Sequence, residues 1–543
     1  MTNNFIFIGD LEGCIKYAKF SKQKDEDLQN RNRCVPSFYN ALSKQLAGDK
    51  YLHVCFHGDF FDNGDLVEPS LIGLANLKKY YGKRVHIILG NRDLNKFRIY
   101  YELKLTSEDI SDEDVFASFG MKGWKGAYSD WNSLTNEKKL HKLLKGTMGA
   151  ELHDPELLQG EQKENQKKII DLLLEAFTPE NFNRENNEFM VSNDEDAAKE
   201  ELTVDAFKEG SAVDAIAYIF QKGNIAEFDE ETGILMSHGG GYSQAIFEKN
   251  LDTDELKKTN YFEKIVEAIH NLHYKGETAP TVSDNVSDIV TSHNDVYTNF
   301  LQKFKAGKAN PDEHFYLLAM GLKPIEKPSW RFKSFIETCS HMNDFKANAS
   351  KFNEYQSLPE PIKVVAYGHL NTMQNYPFIY KRKGLTLLSS DVSVARSPAT
   401  EPIYLIGYSD EKVTTYKYDN KENPDIEKIK ELDEIKEYND DASDIEWEVH
   451  NDYFKLDEND VPEPADVEVE GEGEGEGEGE REREGEGEGE GEGFGGRKNS
   501  TRKNKKNKRK TKRKRKTMKK KKRKTIKKRK TMKRKRKNAN KKK

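Results

Sequence analysis

The chain has 543 residues, of which 35% are apolar, 34% charged and 10% aromatic; that length admits several domains or one domain with large insertions, and that charge excludes a single compact globule. The net charge of −5 hides two opposite parts, because residues 497–543 hold 32 of the 89 Lys and Arg and no acid, leaving 57 basic against 94 acidic residues in 1–496, a net −37. No run approaches the roughly 18 apolar residues of a membrane span, and the N-terminal Met1–Ile8 is too short and uncharged for a signal peptide.

The first strand is expected at Phe5–Ile8 and runs into Gly9-Asp10-Leu11-Glu12-Gly13. After a polar stretch, Tyr51–Phe56 reads as a second strand, followed by Gly58-Asp59-Phe60-Phe61-Asp62-Asn63-Gly64. Helical spacing covers Leu66–Tyr80, and a third strand at Arg84–Leu89 ends in Gly90-Asn91-Arg92-Asp93. Strands that alternate with helices indicate an α/β sheet with helices on its faces. Two long inserts follow, about 100–230 and 245–360. Their apolar stripes are Ile169, Ile170, Leu173, Leu174 and Phe177, then Val213, Ile216, Ala217 and Phe220, and in the second Phe262, Ile265, Val266 and Ile269. These stripes are read as core packing of helices that form a cap over a site. A fourth strand at Ile234–Ser237 leads into His238-Gly239-Gly240, and a fifth at Val364–Tyr367 into Gly368-His369-Leu370-Asn371. Further β-like runs are Leu385–Ser389, Ile403–Tyr408 and Val413–Tyr418.

Five strands thus end in glycine-flanked polar blocks. Ligands of open α/β sheets bind at the carboxyl ends of strands, and glycine there lets the backbone turn and approach a ligand closely. Asp, Glu, Asn and His together make a mixed oxygen and nitrogen shell suited to Mn²⁺, Fe or Zn²⁺. The cysteines Cys14, Cys34, Cys55 and Cys339 lack CxxC spacing, which argues against a disulfide scaffold and a cysteine-only zinc site and fits a reducing compartment, cytoplasmic or nuclear.

The order of the blocks resembles the calcineurin-like metallophosphoesterase superfamily, whose motifs read GDxHG, GDxxDxG, GNH(D/E), H(G/A) and GHxH. The resemblance covers residues 5–97, 234–242 and 363–418. It implies a β-sandwich flanked by helices, with two divalent ions, Mn²⁺ or Fe, Zn²⁺ or Mg²⁺, at the strand ends. Carried over by residue, Asn91, His238 and His369 would bind one ion, Asp10 the other, and Asp59 would bridge both. Glu12 and Asn371 stand where the family has histidines, so the first ion would see Asp10, Glu12, Asp59 and Asn371. That all-oxygen set favours Mn²⁺ or Mg²⁺. Arg92 replaces the histidine that usually protonates the leaving group; arginine cannot act as an acid at neutral pH but can clamp phosphate oxygens. Asn63 replaces an arginine frequent in protein phosphatases, which Arg92 or Arg98 would offset in binding substrate. Asp59, Arg92 and Asp93 are the catalytic candidates, with Asp62 and Asp93 read as turn-forming or hydrogen-bonding. His57 is expected to be a hydrogen-bonded histidine behind the ligands. His53, His86, His270, His273, His293, His314 and His341 show no ligand spacing. Asp391 falls where the family often contacts product.

The expected organisation is a core in pieces 1–99, 231–245 and 361–438, helical insertions 100–230 and 246–360, a disordered Gly-Glu linker 439–496 and a disordered basic tail 497–543. The linker alternates Gly and Glu over 470–493, broken by Arg481 and Arg483; such a sequence buries no core. The tail, with Arg497, Lys498, Arg513, Lys514, Lys522 and Arg523, suits non-specific DNA or RNA binding by counterion release. It also meets the loose criteria for nuclear localisation, and its composition is similar to tails on proteins of large DNA viruses. The activity implied is hydrolysis of phosphate esters or anhydrides, on phosphoprotein, nucleotide or nucleic-acid substrates. The rival is an inactive metallophosphoesterase fold that serves as a nucleic-acid-binding scaffold.

Overall fold

The structure is a computed structural model and describes residues 3–9, 11, 25–61, 67–106, 131–147, 160–185, 187–190, 202–239, 286–309, 362–368, 377–382, 384–390, 403–419, 425–432 and 434–435. The chain divides into units 1–463 and 464–543. The Gly-Glu linker beyond 463 and the basic tail, like the stripe at Phe262–Ile269, lie outside the described residues.

In chain order the main elements are β1 Asn4–Ile8, α1 Asp25–Gly48, β2 Leu52–Phe56, α2 Val67–Tyr81, β3 Val85–Ile87, α3 Asn91–Asn95 and α4 Arg98–Glu102. They continue with α5 Asn136–Thr147, α6 Gly160–Ala176, α7 Pro179–Phe182, α8 Ala212–Lys222, β4 Ala226–Asp229, β5 Ile234–Ser237 and α9 Val286–Lys305. The last are β6 Val364–Tyr367, β7 Phe378–Arg382, β8 Leu385–Ser389, β9 Ile403–Ser409, β10 Lys412–Asp419 and β11 Asp425–Leu432.

Two sheets result. The six-stranded one has the order β11-β10-β9-β1-β2-β3, with β1, β2 and β3 parallel and β9 antiparallel to β1. The five-stranded one has the order β4-β5-β6-β8-β7, with β5, β6 and β8 parallel. Alternation along β1 explains how they meet. Phe5 and Phe7 join Cys55, Ile234, Met236, Val364, Ala366 and Leu388 in one apolar layer, while Ile6 and Ile8 face the other way, into the core built with the helices. Side chains on one strand point alternately to opposite faces, so one sheet supplies half of two cores. The expected α/β sandwich flanked by helices is what the chain forms.

The described helices of the two inserts pack into that helical core rather than standing apart from it. Phe97, immediately after α3, has its ring centroid 5.7 Å from Phe177, 5.5 Å from Phe182, 5.2 Å from Phe220, 5.2 Å from Phe300 and 4.7 Å from Phe304. Phe177 directly follows α6, and the other four rings lie on α7, α8 and α9. The apolar stripes of the first insert are therefore core, as their spacing indicates. In these segments the helices pack around Phe97, which lies between α3 and α4.

Candidate active site

The parallel strands β1, β2 and β3 bring their carboxyl ends together, and β5 and β6 do the same in the facing sheet. Two of the resulting turns cross in contact. A Cβ on Gly58 would lie 2.4 Å from the Gly90 nitrogen, and a Cβ on Gly90 would lie 2.3 Å from Asp59 Oδ1. Only glycine permits that approach. Gly58 has a φ of 85° and Asp59 one of 52°, the left-handed region that a non-glycine residue seldom enters. Asp93 holds this conformation. Its carboxylate accepts the N–H groups of Gly90 at 2.7 Å, Asp59 at 2.9 Å and Phe60 at 2.8 Å. Burial pushes the Asp93 carboxyl up to about 7, against the opposing pull of those N–H groups and of Lys96. Asp93 is thus the clasp between two turns, which agrees with its reading as a hydrogen-bonding residue and leaves it facing backbone.

Asp59 is 1% exposed. Its Oδ1 accepts the Arg92 N–H at 2.9 Å and lies 3.4 Å from His238 Nε2, and its Oδ2 lies 3.4 Å from Arg92 Nε. His238 is fixed by its other nitrogen, since Nδ1 donates to the His57 carbonyl, which can only accept. In the neutral ring Nε2 then carries a lone pair directed at a carboxylate oxygen. Two such donors repel unless a proton or a metal ion lies between them. Ligands held about 2.1 Å from one divalent ion stand roughly 3.0–3.5 Å from each other, so the pair fits an ion. Among the described residues no group of three or more His, Cys, Asp or Glu could hold a metal. Asp10, Glu12, His369, Asn371, Asp62, Asn63 and Asp391 lie outside the described residues, and Asn91 is described as the first residue of α3 without its side chain.

His57 lies behind the site, stacked on Phe7 at 5.6 Å. Ser390 donates its hydroxyl to the Tyr367 carbonyl at 3.2 Å and contacts His57 Nδ1 at 2.7 Å, so His57 carries its proton on Nδ1. Burial, then the charges of His238 and His86, lower its pKa to about 3, which keeps the ring neutral. Arg98 is 2% exposed and is paired through Nε and Nη2 with Glu102 one turn later. Its reading as a substrate clamp is corrected: the group is an internal ion pair, and the i, i+4 spacing in the sequence already offered that partner. Sequence reasoning missed Ser390 and Lys96. Ser390 follows a strand end, as the named blocks do. Lys96 is fully buried and holds the Arg92 carbonyl at 3.0 Å.

A family model of calcineurin-like phosphoesterases matches residues 4–218. The match spans the first three blocks, which contain Asp59 and Asn91, and the family is one of metal-dependent phosphoesterases. No curated protein matches the chain. Among solved structures, the cold-active protein-tyrosine phosphatase of a psychrophile, Shewanella sp., shares 12% identity over 79% of this chain and 81% of its own, with a TM-score of 0.28. A point mutant of a cold-active protein tyrosine phosphatase gives 13%, the same coverage and 0.28. Likeness at that level carries no argument about activity.

Proposed function

We propose that the chain is a metal-dependent hydrolase of phosphate esters or anhydrides. The supporting observation is that His238 Nε2 lies 3.4 Å from Asp59 Oδ1, the separation at which two ligands of one divalent ion stand. Asp59 and His238 would hold the ion, joined, on the resemblance, by ligands from Asp10, Glu12, Asn91, His369 and Asn371. A divalent ion there supplies Lewis-acid polarisation of the phosphoryl group. The chain's own residues do the rest. Asp93 and the Gly58–Gly90 contact hold Asp59 in place, the His57 carbonyl sets the tautomer of His238, and Arg92 puts a permanent positive charge next to the carboxylate, where phosphate oxygens would come to lie.

Arg92 also points to a substrate class. A departing alkoxide gains much from a proton donor, typically about 10²–10⁴-fold in rate, and arginine cannot give a proton near neutral pH. Nucleotide anhydrides and aryl phosphates, which leave well unaided, are therefore favoured over phosphoserine. The test is a hydrolysis panel with Mn²⁺ across aryl phosphates, phosphodiesters, nucleotides and phosphopeptides. Activity should vanish on chelation and in Asp59→Asn, and log kcat/KM should fall steeply with leaving-group pKa. Turnover that survives both chelation and Asp59→Asn would refute the reading, and a flat plot would show that another group acts as acid. Residues 497–543 are proposed to bind DNA or RNA without sequence preference, in the cytoplasm or nucleus.

A further inference from the structure

Asp59 already has a cation at one of its oxygens. We infer that Arg92 takes one of the two cation positions at this carboxylate, so that the centre binds a single divalent ion beside a guanidinium. The inference rests on the metal-dependent reading of the site and narrows it.

The two carboxylate oxygens face different partners. Oδ1 looks toward the His238 lone pair and toward the Arg92 N–H, while Oδ2 looks toward Arg92 Nε. A carboxylate bridges two ions only when both can reach its lone pairs. A second ion on the Oδ2 side would stand against the guanidinium, and two cations in contact at a site 1% exposed repel strongly because little water screens them. The guanidinium cannot escape this by losing its proton.

The backbones that carry both side chains are held in place. Asp59 is seated on Gly90 so closely that a methyl group there would lie 2.3 Å from Oδ1. Its N–H is bound by Asp93, its φ is 52°, and Asp93 fixes the next residue as well. The Arg92 backbone is tied on both sides of its Cα, by its N–H on Asp59 Oδ1 and by Lys96 Nζ on its carbonyl at 3.0 Å. Its side chain is only 18% exposed, so it lies over the carboxylate rather than out in solvent. The sequence neighbour that positions the arginine is thus the same turn that positions the carboxylate.

The experiment uses the full chain loaded with Mn²⁺ and dialysed. Elemental analysis counts the ions, and electron paramagnetic resonance separates an isolated ion, with six lines, from the multiline signal of a coupled pair. Wild type should hold one ion per chain with the isolated signal. Arg92→Gln keeps much of the length and removes the charge; it should take up a second ion and show the coupled signal. Arg92→Lys keeps the charge and should stay at one. Two coupled ions in the wild type overturn the inference and leave the phosphoesterase reading intact. No ion in any of the three proteins overturns both. A folded Arg92→Gln that still holds one ion shows that Arg92 is not what excludes the second. Should Arg92→Gln fail to fold, Arg92→Met takes its place: two ions in it uphold the inference, and one ion overturns it.

Discussion

Gly90 and Asp59 compete for one volume, and the site exists because the glycine yields it. The nearest atoms to an added Cβ are Asp59 Oδ1 at 2.3 Å, Asp59 N at 2.5 Å and His238 Cε1 at 2.9 Å. One of these is backbone, so no rotamer change relieves the clash. Gly90→Ala is expected to cost about 1–3 kcal/mol of stability and to depress turnover out of proportion, because the displaced atoms are the ones that face the ion. Gly48→Ala is the control, since a Cβ there meets nothing within 4 Å. A Gly90→Ala protein with the melting temperature and turnover of Gly48→Ala would sink this account. In the sequence each block reads as an ordinary strand-end turn. That two of them cross at contact depends on a pairing between residues more than thirty positions apart, which local pattern does not encode. The tautomer of His238 was equally hidden, because the carbonyl that sets it belongs to His57, on the other sheet.

At the scale of elements, the strands that carry chemistry were the legible ones. Runs at Phe5–Ile8, Tyr51–Phe56, Ile234–Ser237 and Val364–Tyr367 appear as β1, β2, β5 and β6 within a residue or so. They are buried on both faces and therefore read as continuous apolar stretches. The strands without a signal are β4, β7 and β11, each at the edge of its sheet. β11, Asp-Ile-Glu-Lys-Ile-Lys-Glu-Leu, buries Ile426 and Leu432 but is largely charged, as edge strands often are. The joint between the sheets was hidden too. His53 on β2 contacts His86 on β3 at 2.8 Å, and His86 reaches Glu227 on β4, so three strands from two sheets share one polar chain. Burial, then the charges of His86 and Arg84, set against those of Asp229 and Glu227, lower the His53 pKa from 6.5 to about 4. Burial alone would raise Glu227, but His86, Asn224 and Lys78 hold it at about 2. Both folded values lie below the unfolded ones, so both groups stabilise at neutral pH. The His53 contribution is complete above 6.5 and declines as pH falls toward 4; that of Glu227 declines from 4.5 toward 2. The urea midpoint should therefore drop on acidification from pH 7 to 4, and His53→Phe should lose part of that drop. An identical pH profile in the variant would remove His53 from the explanation.

For the whole molecule the decisive property is where charge lies along the chain. Residues 1–496 carry −37, so the body by itself repels a phosphate polymer, while 497–543 offer 32 positive charges and no acid. Composition makes this legible without any structure, because counterion release depends on charge count rather than on a fold. If six to ten of those residues contact phosphates, affinity for DNA or RNA should fall about 10³–10⁵-fold between 50 and 200 mM salt, with little dependence on sequence. Deleting 497–543 should then abolish most nucleic-acid binding and leave kcat/KM for a small aryl phosphate unchanged. The acidic linker gives the experiment a second arm. Its Gly-Glu run is the polyanion next to the tail in sequence, so the expectation is that it competes with nucleic acid for the tail. Deleting 470–493 while keeping the tail should tighten nucleic-acid binding, most at low salt. Weaker binding in that variant would show that the linker presents the tail rather than masking it, and tight binding after loss of the tail would move the interface onto the acidic body.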